Sequence, residues 1–77
     1  MTKHSSIQSQ HIIKQLSKTE LDILRYIKNE HTSAEIALIR NCSRRTVEKH
    51  RSNIIYKLGI KSSQMALLIW TQNNSII

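Results

Sequence analysis

The sequence predicts one all-α domain built from four helices. Three observations carry this prediction: apolar residues recur at helical spacing, polar capping residues precede the apolar stretches, and the single glycine, Gly59, follows the longest of them. No alternating segment typical of a strand competes with this pattern. The 77 residues suffice for one domain. Because a chain this short hides only about 60% of its unfolded surface, we expect a thin margin of stability.

The first helix is marked by a capping box. Ser17 and Glu20 have the Ser-x-x-Glu spacing in which each residue pairs with the other's backbone N–H, and a helix is predicted at about residues 18–29. Leu16 precedes this cap and is expected to pack against Leu21 as a hydrophobic staple. The apolar face of this helix comprises Leu21, Ile23, Leu24 and Ile27.

A second capping box, Thr32 with Glu35, marks a short second helix that ends near Arg40. Its small Ala37 would let a following helix cross closely, and Asn41 is expected to take the left-handed conformation in the turn. The apolar residues of this helix are Ile36, Ala37 and Ile39.

The third helix is predicted from about Arg44 to Leu58, with Ser43 as its cap. Cys42 and Val47 are expected to form the staple pair, which makes Cys42 a small buried hydrophobe. Gly59 then supplies the left-handed residue that ends the helix. The buried face consists of Val47, Ile54 and Leu58.

The fourth helix is predicted at residues 63–73 with Ser62 as its cap. One apolar stripe suits the domain core and comprises Ala66, Leu67 and Trp70. A second stripe at helical spacing comprises Met65, Leu68, Ile69 and Gln72. A small monomer would expose the second stripe, so it predicts a symmetric contact between two copies. The alternative is that Ile12 with Ile13, or Ile76 with Ile77, folds over it.

Positive charge is concentrated in one part of the chain. The formal net charge is +7, and residues 40–61 hold seven basic residues and one acidic residue, Glu48, so +6 of it lies there. Such a patch favours a polyanionic partner, with nucleic acid as the first candidate. A merely solvated face would carry interspersed acids.

Other classes of protein are disfavoured. The single cysteine, Cys42, cannot form an internal disulfide, which points to the cytoplasm, and neither a signal peptide nor a membrane span is expected. The four histidines lack metal-ligand spacing, so no metal or other cofactor is expected. No nucleophile–base arrangement or phosphate-cradling glycine loop is found, so the protein is predicted not to be an enzyme.

The second and third helices and the short break between them have the proportions of a helix-turn-helix. Over about residues 16–70, the sequence resembles the LuxR/GerE-type domain of bacterial transcription regulators. The residues that carry the resemblance are Leu16-Ser17-Lys18-Thr19-Glu20, Leu24, the run TSAEIA from Thr32 to Ala37, Ser43, Thr46-Val47-Glu48-Lys49-His50, Asn53-Ile54 and Lys57-Leu58-Gly59-Ile60.

The resemblance implies a third helix that enters the DNA major groove and a fourth that mediates a homodimer. By position, the base-facing residues would be Arg45, Glu48, Lys49 and Ser52. Contacts to the DNA backbone would come from Thr32, Ser33, Ser43, Arg44, Thr46, His50, Lys57 and Lys61. The dimer interface would then include Met65, Leu68, Ile69 and Gln72.

Three residues depart from the family pattern. Arg40 stands where a buried Leu is usual, so we expect either that the end of the second helix is turned or that the Arg40 stem covers the core while the guanidinium reaches solvent or DNA. Glu30 replaces a Gly after the first helix, and Asn29 is expected to take the left-handed conformation instead. Glu48 replaces a residue that is often basic, and it either accepts a hydrogen bond from a cytosine amino group or pairs with Arg44 or Arg51.

The sequence thus predicts a sequence-specific DNA-binding transcription regulator acting as a dimer, with residues 16–77 as its domain and residues 1–15 as a polar tail or linker. Two other hypotheses stay open at this point. One is a protein-interaction module that docks on RNA polymerase or a sensor domain. The other is a nonspecific nucleic-acid binder. The polar residues 1–15 fit both a small regulator and the output part of a longer one.

Overall fold

The computed structural model describes residues 13–63 and 65–74, and this part of the chain forms four helices and no strand. The helices are α1 (Lys18–Lys28), α2 (Ser33–Arg40), α3 (Arg44–Leu58) and α4 (Ala66–Asn73). The all-α prediction is confirmed, and α3 has its predicted bounds. None of the described helices combines the length and the apolar character that crossing a membrane requires.

The core is aliphatic and forms where α1 packs against α3 and α4, while α2 packs against α3. Val47, Ile54 and Leu58 are all buried, as predicted, so α3 turns one whole face inward. Leu16 is buried and Leu21 packs against the same cluster, which fits the expected staple. The fully inaccessible apolar residues are Ile23, Leu24, Ile36, Val47, Ile54 and Leu67.

Hydroxyl caps begin the first three helices. The hydroxyls of Ser17 and Thr32 accept the backbone N–H of Glu20 and Glu35 at 3.1 Å, and each glutamate carboxylate accepts in return at 2.8 Å. Ser43 Oγ accepts the Thr46 N–H at 3.1 Å. Each cap satisfies a donor that the helix itself leaves unpaired, and each stabilises by about 1 kcal/mol.

Three helices end in the same backbone motif around a left-handed residue. Asn41 and Gly59 have φ of 55° and 67°, as predicted. In each case the next residue donates its N–H to a carbonyl five residues back, Cys42 to Ala37 and Ile60 to Ile55. Asn41 and Gly59 also donate their own N–H groups to the carbonyls of Leu38 and Tyr56, and the two bonds at each helix end make up the Schellman motif.

The prediction for the end of α1 is wrong by one residue. Asn29 has φ −88°, and Glu30 takes the left-handed position with φ 66°. The reason is the bonding of the motif: the N–H groups of Glu30 and His31 reach back to Ile27 and Tyr26 at 2.8 and 3.0 Å. That geometry requires the left-handed residue at position 30 whatever its side chain.

The start of α4 also differs from the prediction. The helix begins at Ala66 after Met65, which makes no side-chain capping bond, so Ser62 is not its cap. After Ile60, Leu67 is the first fully buried residue in the described part, so the helix forms where packing on the core resumes.

Thr71 is 1% exposed and donates its hydroxyl to the Leu68 carbonyl at 2.7 Å, which the apolar pattern did not indicate.

One side chain expected in the core lies outside it. Cys42 is exposed, so the predicted staple with Val47 does not form. Its backbone N–H closes the Schellman motif of α2, and the chain path set by left-handed Asn41 leaves the thiol in solvent. Ile39 is half exposed and Leu38 is 82% exposed, so α2 buries Ile36 and Ala37 alone among its apolar residues.

Candidate nucleic-acid interface

The face of α3 opposite its buried stripe is exposed and polar. Because Val47, Ile54 and Leu58 point into the core, the residues about half a turn away project outward. The exposed residues in the first three turns include Arg44, Arg45, Glu48, Lys49 and Ser52. Within the described part of the chain neither Arg45 nor Lys49 forms a salt bridge.

One shallow groove brings together all four residues that sequence analysis assigned to bases. Arg45, Glu48, Lys49 and Ser52 line it, and the capping residues Ser43 and Thr46 complete it. The hydroxyl oxygens of Ser43 and Thr46 lie 2.9 Å apart and share a hydrogen bond. The groove thus joins basic side chains to the N-terminus of α3, where free backbone N–H groups favour anions.

A wider open groove adjoins the first one and brings part of α2 beside α3. Thr32 and Ser33, two residues predicted to contact the DNA backbone, line it together with Arg44, Glu48 and Arg51. Residues from the two helices of the helix-turn-helix therefore share one concave surface, with the N-termini of α2 and α3 both close to it.

The carboxylate of Glu48 is paired along its own helix. Its Oε2 accepts the Nε–H of Arg44 at 3.2 Å, the i, i+4 arrangement, with both side chains largely exposed. The charge of Glu48 also acts on Arg51. Burial lowers the pKa of Arg51, and the nearby Glu48 carboxylate partly offsets that decrease. The predicted intrahelical pair with Arg44 is thus present.

Lys57 has a partner that the sequence did not reveal. Its Nζ donates to Glu20 Oε1 at 2.8 Å, and the same oxygen accepts the Ser17 N–H at 2.8 Å. The Glu20 side chain is only 6% exposed, so this bond ties the last turn of α3 to the first turn of α1. Burial alone would raise the pKa of Glu20, but the bonds from Lys57 and Ser17 outweigh it and hold the pKa below its ordinary value.

Arg40 is also held within the fold. Its Nη1 lies 3.4 Å from Asp22 Oδ2 on α1, so the guanidinium pairs with a carboxylate, whereas the sequence predicted a free group in solvent or on DNA. The Asp22–Arg40 and Glu20–Lys57 pairs join residues far apart in the chain. A helical pattern within one segment gives no signal for either of them.

The remaining predicted residues differ in exposure. Lys61 is exposed and His50 is half buried. On α4, Gln72 is exposed, and Met65 and Ile69 are each 50% exposed, whereas Leu68 packs partly against the core. Among residues 13–63 and 65–74, no group of three or more His, Cys, Asp or Glu side chains is placed to hold a metal ion.

Comparison with known proteins agrees with this architecture. Residues 14–70 match the family model described as bacterial regulatory proteins, luxR family. No solved structure matches the chain.

Two curated relatives share this region. The transcriptional regulatory protein TdiR of Thauera aromatica is 42% identical over 52 residues, 68% of this chain and 23% of that protein. An uncharacterized response regulatory protein, YgeK of Escherichia coli (strain K12), is 46% identical over 48 residues, 62% of this chain and 33% of that protein. The matches thus cover a third or less of each relative.

The family match spans the helices that form the two grooves, and the residues that line them include the four predicted base-facing residues together with Thr32, Ser33 and Arg44. The chain belongs to the LuxR/GerE family of DNA-binding bacterial regulatory proteins.

Proposed function

We propose that this domain binds double-stranded DNA in a sequence-specific manner as a cytoplasmic transcription regulator, with α3 lying in the major groove. The observation that carries the proposal is the shared groove lined by Arg45, Glu48, Lys49 and Ser52 on the exposed side of a helix whose other side is fully buried. A helix held in this way can present its side chains to base edges without losing its packing.

The backbone contacts of the proposal surround this groove. Ser43, Arg44 and Thr46 lie at the start of α3, while Thr32 and Ser33 lie at the start of α2. Helix N-termini and basic side chains are the usual ligands of phosphate oxygens, and they fix the register of a protein on the duplex. The other proposed backbone contacts are His50, Lys57 and Lys61, of which Lys57 would have to share its ammonium with Glu20.

We further propose that two copies associate through α4. Support comes from the half-exposed side chains of Met65 and Ile69, with Gln72 on the same side and Leu68 partly exposed beside them. A symmetric contact would remove this apolar surface from water and would place two α3 helices on one duplex, so the target would have two half-sites.

Selection of bound sequences from a random duplex pool, followed by footprinting, tests the DNA proposal. We expect a recurring motif with two half-sites and an affinity whose logarithm falls with log salt by about 0.9 per neutralised phosphate. Arg45→Ala with Lys49→Ala should weaken binding strongly. The matched control is Arg25→Ala, which removes an exposed arginine from an ion pair on α1.

Other outcomes separate the rival functions. Binding without enrichment of any sequence would indicate a nonspecific nucleic-acid binder. Absence of binding at low salt would contradict the proposal and favour a module that docks on another protein, such as RNA polymerase.

Sedimentation at micromolar concentration tests the dimer. We expect the wild-type domain to sediment as a dimer and Ile69→Glu as a monomer. Leu38→Glu is the matched control, because it places the same charge at an exposed apolar position on α2 and should leave the dimer intact. A monomeric wild type, or a dimer that persists in Ile69→Glu, would contradict the α4 interface.

A further inference from the structure

Glu48 is the one acidic residue of α3, which also carries Arg44, Arg45, Lys49, Arg51 and Lys57. It lies on the exposed side of the helix and lines both grooves described above. A carboxylate at this place reduces attraction to phosphates, the term that supplies most nonspecific affinity. Its presence at the centre of the proposed DNA surface therefore calls for a role in discrimination.

One oxygen of the Glu48 carboxylate accepts a hydrogen bond from Arg44, and the other accepts none from the described residues. Oε2 accepts from Arg44 Nε at 3.2 Å, and within the described residues the carboxylate makes no further hydrogen bond. The positive charge of Arg51, one turn further along the helix, acts on the same carboxylate. Glu48 therefore has a preferred orientation before any partner arrives, with Oε1 available as an acceptor.

Base chemistry decides what such an acceptor can read. In the major groove cytosine presents only a donor, its N4 amino group, whereas guanine presents the acceptors N7 and O6 and thymine the acceptor O4. Adenine offers a donor at N6 but sets the acceptor N7 beside it, which repels a carboxylate. A fixed carboxylate oxygen consequently favours cytosine over each of the other three bases.

We propose that Glu48 determines specificity by accepting a hydrogen bond from a cytosine amino group through Oε1, and that Arg44 is the positioning residue that holds Oε2. This inference rests on the DNA-binding function proposed above. Holding the side chain matters because a free glutamate loses rotamer freedom when it binds, which weakens the discrimination it can supply. Arg44 keeps its two terminal NH₂ groups, so a phosphate contact remains compatible with this role.

The test is selection from a randomised duplex library with the wild-type domain and the variants Glu48→Gln, Glu48→Ala and Arg44→Ala, each checked for folding by circular dichroism. We expect wild type to enrich cytosine at one step of each half-site. Glu48→Gln should lower that preference by about 5- to 100-fold and shift it toward adenine, since an amide pairs with adenine N6 and N7. Arg44→Ala should lower it by about 2-fold at the same step only, as expected for a weak exposed i, i+4 pair.

A double-variant comparison isolates the positioning role. In the Glu48→Ala background, Arg44→Ala should produce no further change in base preference at that step. Arg25→Ala serves as the control, because it breaks an exposed intrahelical pair on α1 and should leave every preference unchanged.

The contrary results are distinct. If Arg44→Ala weakens binding equally on all sequences and flattens the salt dependence by about 0.9 while cytosine preference stays intact, Arg44 contacts phosphate alone and the positioning role is overturned. A base preference that Glu48→Gln does not alter overturns the role of Glu48 while DNA binding stands. Absence of DNA binding by the wild-type domain overturns the proposed function itself.

Discussion

The two ends of α3 form ion pairs of opposite character. At the N-terminal end Arg44 pairs with Glu48 on the same helix, and the two side chains are 69% and 52% exposed. At the C-terminal end Lys57 pairs with Glu20 on α1, and the carboxylate is 6% exposed. One pair leaves its helix face accessible, whereas the other fastens the helix to the domain.

The two ends of α3 therefore differ in function: the N-terminal end presents an exposed surface, and the C-terminal end attaches the helix to α1. An exposed i, i+4 pair stabilises by about 0.2–0.5 kcal/mol, so it adds little to the stability of the fold. The Glu20 oxygen instead accepts two hydrogen bonds at a partly buried site, where losing a bond costs about 1–3 kcal/mol. Because one end of the helix is fixed to the domain, the side chains at the other end can remain exposed.

Ile54→Ala should break the anchored half most strongly. Ile54 is fully buried on α3, and its truncation leaves a cavity that should lower the free energy of unfolding by about 2–5 kcal/mol. Urea denaturation followed by circular dichroism measures this loss. Leu38→Ala, at an 82% exposed position, is the control and should change stability by less than about 0.5 kcal/mol. Equal losses in both variants would contradict the assigned core.

Glu20→Gln compares the two ion pairs directly. It removes the charge that holds Lys57 and weakens the cap of α1, so we expect a loss of about 1–3 kcal/mol. Glu48→Gln makes the same chemical change in the exposed pair and should cost less than about 0.5 kcal/mol. Comparable losses in urea denaturation would show that burial of the Glu20 pair has no energetic consequence.

The stability that the Glu20–Lys57 pair contributes should depend on pH. The pKa of Glu20 in the folded domain lies below its ordinary value of 4.5, so its contribution to stability is present above that pH and is lost as pH falls through the folded value. The stability advantage of wild type over Glu20→Gln should therefore shrink as the pH falls below 4.5 and through the folded-state pKa of Glu20. Denaturation midpoints along a pH series check this, and a constant advantage would be the contrary result.

The smallest expected effects concern the left-handed residues before and after the helix-turn-helix. Gly59→Ala should cost about 1 kcal/mol, because no side chain crowds the position and only the backbone conformation is penalised. Glu30→Gly should instead raise stability by about 0.5 kcal/mol. Glycine removes the penalty of the left-handed conformation, but part of this gain is lost because glycine also raises the conformational entropy of the unfolded chain. Thermal unfolding of the two variants should thus shift in opposite directions.

Local patterns predicted much of this structure. Ser17, Thr32 and Ser43 each mark a helix start because a cap depends on residues within three positions, and Gly59 marks a helix end for the same reason. The buried stripe of α3 follows from spacing along one helix. The grouping of Arg45, Glu48, Lys49 and Ser52 in one groove likewise follows from helical periodicity together with the family resemblance.

Features that depend on distant parts of the chain were missed. Lys57 meets Glu20 across 37 residues, and no property of either segment identifies the other as its partner. The start of α4 lies next to Leu67, the residue at which the chain returns to the core. Glu30 is left-handed because the backbone hydrogen bonds at the end of α1 require this conformation at position 30, although glutamate is poorly suited to it. Cys42 was misplaced for a related reason: the turn directs its side chain outward.

That outward thiol has a practical consequence. Cys42 is the only cysteine in the sequence, and it directly precedes the cap of α3. A maleimide dye attached there would label the native chain at one known position, without any engineered residue. Quenching or energy transfer to a labelled oligonucleotide would then report how close this end of the helix comes to its target and how quickly it arrives.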